Sequence, residues 1–144
     1  MQLALAEAEA AASLGEVPVG AVMVDPATGQ VLARAGNSTL TDNDPTAHAE
    51  MLVIRAVARQ LKNQRLTGLD LYVTLEPCAM CAAAISFARI RRLYYGADDE
   101  KGGGVAHGPR FFSQPTCHHA PEIYGGIDAI RAQGLLRAFF TARR

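Results

Sequence analysis

The chain carries two short segments that make sense only if the fold brings them together, and this requirement constrains it more than any other feature. Thr46-Ala47-His48-Ala49-Glu50 supplies an imidazole and, two residues on, a carboxylate. Pro77-Cys78-Ala79-Met80-Cys81 supplies two thiols three residues apart, directly after a proline. One imidazole and two thiols form a donor set suited to Zn2+, and Glu50 is left over as an acid. Three protein ligands beside a spare carboxylate favour an open, catalytic metal site over a closed structural one.

Each segment stands at the start of a helical pattern. Asp44 suits an N-cap and Pro45 the first helical position, followed by an apolar-periodic run through Met51, Ile54, Val57, Ala58 and Leu61. That helix should stop around Asn63–Gly68. Glu76-Pro77 opens a second helix, from about Cys78 to Ala88, apolar almost all round and therefore buried. Cys78 and Cys81 then share one face in the first turn, at the end whose dipole favours thiolates. On the first helix, His48 and Glu50 would lie about 200° apart, so they converge only if that helix points end-on at the metal. Two strand-to-helix crossovers in one sheet bring both helix N-termini to the same sheet edge, where open α/β sheets place their ligands.

The remaining chain supplies that sheet. Residues 2–14 read as an amphipathic first helix, with Leu3, Ala6, Ala10 and Leu14 at helical spacing and a stop near Gly15. Val17 to Val24 reads as a buried strand, with Pro18 at its start or at an edge. The turn formers Asp25 to Gly29 and a second strand from Gln30 to Ala35 complete an antiparallel hairpin, followed by a polar loop from Gly36 to Asp44. Leu69 to Leu75 is a short central strand, Leu93 to Tyr95 another, ended by Gly96. Gly102 to Pro121 is a long irregular segment of the kind that serves function or flexibility. Glu122 to Tyr124 suits a last strand and Ile127 to Phe140 a last helix. The expected fold class is α/β: a three-layer α/β/α sandwich on a mixed five-stranded sheet, one antiparallel hairpin and then parallel crossovers.

A chain of 144 residues is the size of one domain, 1–144, and needs no disulfide staples to bury a core. Three cysteines with one close pair make a poor disulfide framework and point to reduced thiols. No apolar stretch is long enough to span a membrane, and Met1 to Glu9 lacks the basic start of a signal peptide, so the cytoplasm is the expected compartment. The first helix begins so close to Met1 that a preceding segment is also an expectation. Formal net charge is zero, but residues 51–144 hold thirteen bases against seven acids. Part of the excess lies in Arg89, Arg91 and Arg92 and in Arg137, Arg143 and Arg144, either a solvated surface or a patch that tracks phosphates.

The charge count assigns Glu50. Two thiolates and a neutral imidazole neutralise Zn2+, which can still acidify a bound water but gains from a nearby base. Glu50 would take that proton and pass it to a departing amine, which is hydrolytic deamination. The structural alternative is a zinc closed by His107, Cys117, His118 or His119. Cys117, His118 and His119 read more simply as surface-loop residues, and Glu76 as a capping or salt-bridged residue.

At these residues a resemblance enters. His48-Ala49-Glu50 with Pro77-Cys78-Ala79-Met80-Cys81 matches the zinc-deaminase signature. Glu16 to Val22, Asp44 to Glu50 and Tyr72 to Cys78, with Arg89 to Arg92 and Phe139 to Arg144, resemble the bacterial tRNA-specific adenosine deaminases, within the cytidine and deoxycytidylate deaminase superfamily, over nearly the whole chain. The resemblance implies the superfamily's fold, a homodimer with one Zn2+ per subunit held by His48, Cys78 and Cys81, and Glu50 as catalytic acid and base. It implies conversion of the wobble adenosine of a tRNA anticodon loop, typically of an arginine tRNA, to inosine. Asn37 matches a residue that hydrogen-bonds the target base, and Val19 a small apolar wall. Asp99 matches an acid near the ribose 2′-hydroxyl. From spacing alone, Asn37 is a plain loop asparagine and Asp99 a solvated acidic turn. Asp98 stands where family members often carry a neutral or basic residue, and Gly102–His119, with Phe111 and Phe112, departs from the best-known member. Two other readings stand beside this one: a free-base or nucleoside deaminase acting on guanine or cytosine, and a non-catalytic, zinc-stabilised RNA-binding module.

Overall fold

A computed structural model describes residues 1–144 and orders the elements as α1 (Gln2–Ser13), β1 (Gly20–Asp25), β2 (Gln30–Gly36), α2 (Ala49–Leu61), β3 (Asp70–Leu75), α3 (Ala79–Ala88), β4 (Arg92–Ala97), β5 (Glu122–Tyr124) and α4 (Ala129–Thr141). The five strands form one mixed sheet in the order β2-β1-β3-β4-β5. β1 is antiparallel to both of its neighbours, and β3, β4 and β5 are parallel. β2 and β3 therefore run the same way. The chain makes two like-handed steps in the direction of the strands, β2-α2-β3 and β3-α3-β4, and both helices start from the same edge of the sheet.

α2 and α3 pack together on one face, where Val53, Val57, Ala82 and Ile85 meet Ala21, Met23, Leu71, Val73 and Leu93 from the strands. Each of the larger of these side chains contributes about 1.5–3 kcal/mol by leaving water. α1 and α4 cover the other face, where Leu5, Ala97 and Ala132 cluster. The expected three-layer α/β/α sandwich and mixed five-stranded sheet are what the molecule has.

Several boundaries and one face differ from expectation. The first strand starts at Gly20, not Val17, because Pro18 has no N–H to give and Val19 turns back onto the Val17 carbonyl. β4 runs through Gly96 to Ala97, since its partner β3 continues alongside to Leu75. α4 begins at Ala129. α1 does not bury the expected stripe: Leu3 and Leu14 are exposed, and Ala4, Leu5, Ala8 and Ala11 face inward. The reason is close approach, for which small residues serve better than large ones. A side chain at Gly20 would place its Cβ 1.9 Å from the Ala4 carbonyl oxygen. The start of α2 also differs: it begins at Ala49, four residues after Pro45, with His48 and not Asp44 as N-cap. Asp44 instead accepts from the Thr46 N–H and hydroxyl, closing a turn of its own.

Candidate active site

Both helix tips reach the sheet edge carrying ligand-type residues just outside the helix. His48 is the N-cap of α2 (φ −73°, ψ 150°) and Cys78 the N-cap of α3 (φ −70°, ψ 175°). Extended backbone at both positions frees their side chains from the helical barrel, so the expected end-on constraint on His48 and Glu50 does not arise. Cys81 follows as the third residue of α3. The His48 Nδ1 lies 3.6 Å from the Cys78 Sγ and 3.6 Å from the Cys81 Sγ. Zinc bonded to nitrogen at about 2.05 Å and to sulfur at about 2.3 Å, at a tetrahedral angle, separates those atoms by about 3.6 Å. The residues therefore fit the ion.

No fourth protein ligand joins them. The only His, Cys or acidic side chains whose ligand atoms gather around this point are His48, Cys78 and Cys81, all within 4.8 Å of one another. Cys117 meets Ser86 and donates to the His119 carbonyl, and His119 bonds the Ile90 carbonyl. His107 joins Glu76 and Asp98 in a separate group.

The electrostatics of the three ligands ask for a cation. Hydrogen bonding with Cys81 pulls the Cys78 thiol down to about 4, and the same bond, with burial, pushes Cys81 far up. The pair therefore favours a thiolate at Cys78 and disfavours a second negative charge at Cys81. Positive charge between them would favour both sulfurs as thiolates. The bond to Cys78 also raises His48. Glu50, on the first turn of α2 and 4% exposed, is raised to about 7, chiefly by desolvation.

Above these groups opens a cleft of about 330 Å3, and Val19, Asn37 and Asp99 all line it beside His48, Glu50 and Cys78. Val17, Thr39, Leu75, Glu76 and Gly102 complete the wall. Asn37 is no plain loop residue. Its N–H donates to the Val19 carbonyl at 2.9 Å, and its Oδ1 accepts from the Ala49 N–H at 2.8 Å, giving α2 the cap that Asp44 does not. A backbone N–H can only donate, so the oxygen of Asn37 must face it and the amide NH2 is the group left free. Asp99 uses Oδ1 to accept from the Lys101 and Gly102 N–H groups, which shapes the turn after β4.

Three features of the site have little signal in the sequence. Glu16, 1% exposed, accepts hydrogen bonds from Thr39, Leu40 and Thr41. Glu76 is salt-bridged, as read, to His107 at 2.8 Å, while its second oxygen has no partner. Gly103 lies against that oxygen so closely that a Cβ there would stand 1.6 Å away. The irregular Gly102–Pro121 segment is thereby moulded onto the turn that carries Cys78, and Gly104 donates to the Pro77 carbonyl at 2.8 Å. The clue to Glu16 is a lone acid heading an apolar run; His107 gave none.

Comparison with known proteins agrees with this geometry. A family model described as the cytidine and deoxycytidylate deaminase zinc-binding region matches residues 1–97. The tRNA-specific adenosine deaminase of Agrobacterium fabrum is 60% identical over 144 residues, which is 100% of this chain and 93% of that protein. A solved structure from work on A-to-I editing by tRNA:A34 deaminases at the wobble position of transfer RNA superposes with a TM-score of 0.92 at 61% identity, covering 94% of this chain and 97% of the other. A guanine deaminase from Nitrosomonas europaea shares the fold, with a TM-score of 0.84 at 19% identity, over 97% of this chain and 82% of its own.

Proposed function

Because the chain belongs to the cytidine and deoxycytidylate deaminase family, and within it to the tRNA-specific adenosine deaminases, we propose that it hydrolyses the wobble adenosine of a tRNA anticodon loop to inosine, releasing ammonia. The observation that carries this reading is the buried Glu50 beside a His-Cys-Cys trio at the floor of an open cleft. Held by His48, Cys78 and Cys81, one Zn2+ per subunit would acidify the attacking water.

The chain's own residues account for the rest. A carboxyl raised to about 7 takes and returns a proton near neutral pH, so Glu50 serves first as base and then as acid toward the departing amine. Burial keeps that proton from bulk water. Val17, Val19 and Leu75 offer the base ring an apolar wall. The free NH2 of Asn37 suits a ring nitrogen, which can only accept. The Asp99 Oδ2, unused in its turn, suits a ribose 2′-hydroxyl, a contact that distinguishes RNA from DNA. Loop bases are already unpaired, so drawing one into the cleft costs less than opening a duplex. An arginine tRNA as substrate, a homodimer in which the 72% exposed Phe87 of α3 is covered, and a cytoplasmic location belong to the same reading.

No helix is long and apolar enough to cross a membrane. A free-base deaminase is the second reading, favoured only by the shared fold with guanine deaminase. The two separate on incubation with an anticodon stem-loop carrying a wobble adenosine, read by sequencing, with guanine and cytosine in parallel. Inosine in the stem-loop is the expected product. Turnover of a free base with none of the stem-loop would overturn the proposal.

A further inference from the structure

Glu16 is a buried carboxylate that takes no part in the chemistry above. Its backbone is fixed where α1 ends, through its N–H to the Ala11 carbonyl at 3.0 Å. Its side chain reaches across to the loop that follows Asn37. Oε2 accepts from the Thr41 N–H and the Thr41 hydroxyl, both at 2.7 Å, and Oε1 from the Leu40 N–H at 3.1 Å and the Thr39 hydroxyl at 3.4 Å. No Lys, Arg or His pairs with it.

Four donors on two oxygens select a carboxylate. Glutamine would keep one accepting oxygen and turn an NH2 toward donors, leaving them unmet. The base of the loop has another tie, from the Ser38 N–H to the Ala47 carbonyl at 3.0 Å. Its apex is tied internally, by the Asn43 and Asp44 N–H groups to the Leu40 and Thr39 carbonyls. Toward the rest of the molecule the apex has Glu16 and, at its far end, an exposed Asp44–Arg55 ion pair at 3.9 Å. Two cleft walls meet at Glu16: Val17 and Val19 follow it in the chain, and Thr39 stands in the segment it grips, two residues after Asn37.

We propose that Glu16 is a positioning residue for the reaction, a latch that holds the Asn37–Thr41 wall at a fixed distance from the Val17–Val19 wall so that the cleft is ready for the base before it arrives. Loss of the latch acts on binding: the base must organise the wall itself, and that cost appears in KM. The inference rests on the deaminase reading, and its test separates the two.

The test compares wild type, Glu16→Gln and Thr41→Val, each with metal content and thermal midpoint measured. Kinetics on the anticodon stem-loop are combined with amide hydrogen exchange over residues 38–44. In Glu16→Gln the account expects KM to rise about tenfold with kcat within about twofold, zinc retained and exchange of Leu40 and Thr41 faster. Thr41→Val removes one hydroxyl donor and should raise KM about threefold, and it decides the matter if Glu16→Gln fails to fold. A lowered thermal midpoint with unchanged KM and unchanged loop exchange would make Glu16 merely structural and overturn the proposal. If wild type does not deaminate the stem-loop at all, the deaminase reading fails on its own. The exchange rates then decide the latch: faster in the variants supports it, equal rates refute it.

Discussion

Glu16 and Glu50 are both buried, at 1% and 4% exposure, Glu50 lining the cleft and Glu16 lying behind its wall, yet their carboxyls are shifted in opposite directions. Desolvation pushes each of them up. For Glu50 it prevails and carries the carboxyl to about 7. For Glu16 it is outweighed by the donors of Thr41, Leu40 and Thr39, which hold it below the usual carboxylate range. Burial alone does not make a carboxylate catalytic. Surrounded by donors, it becomes a charged fixture that organises a loop. Where desolvation outweighs the few donors present, as at Glu50, it becomes a group whose proton is available near neutral pH. Glu76, also buried, has one oxygen joined to His107 and the other without a partner.

The carboxyls of Glu16 and Glu50 separate most clearly when each loses its charge. Glu50→Gln should retain zinc and fold and lose about 10²–10⁴-fold in kcat on the stem-loop. A loss under tenfold would mean that the proton travels by another group. Next in size is the metal itself. Cys78→Ser replaces the sulfur that is most readily a thiolate, and zinc measured after dialysis should fall well below one per chain, with a matching drop in thermal midpoint. Stoichiometric zinc in that variant would remove Cys78 from the ligand set.

The opposite shifts also predict an acid signature. Glu16 is depressed below the ordinary 4.5, so its stabilisation is present above that value and disappears as pH falls through its folded pKa. The stability gap between wild type and Glu16→Gln should be constant from about pH 7 to 5 and shrink below about 4.5. A gap that widens in acid would place Glu16 with Glu50. The smallest effect belongs to His107, which its bond to Glu76 raises above 6.5. Its contribution is present below 6.5 and lost as pH rises through the raised value. His107→Gln should therefore cost more stability at pH 6 than at pH 9, by denaturant unfolding, and equal costs would show that the ring is neutral in the fold.

The central parts of the site were legible because the chemistry of a metal centre is local and demanding. A His-x-Glu and a Cys-x-x-Cys, each ahead of an apolar run, require two helix tips at one sheet edge, and His48, Cys78 and Cys81 meet there. The layers followed from the same requirement. The start of α2 was less legible: Asp44 and Pro45 look like a cap and a first turn, yet Asn37, just past the end of β2, caps α2. A cap supplied across the fold leaves no sequence signature. α1 misled for a related reason, because its close seat on Gly20 selects alanines over leucines, and hydrophobic periodicity weighs the leucines more. Glu16 and His107 act through partners 23 to 31 residues away, distances at which spacing carries no information.

Deamination by this site requires an ion held by one imidazole and two sulfurs, with a position left for water next to Glu50. X-ray absorption at the zinc edge of the metal-loaded protein measures that shell directly. The account predicts two sulfurs near 2.3 Å and two lighter atoms near 2.0 Å, of which one is an imidazole nitrogen. A second imidazole in place of the lighter oxygen, or a third sulfur, would close the site and contradict it.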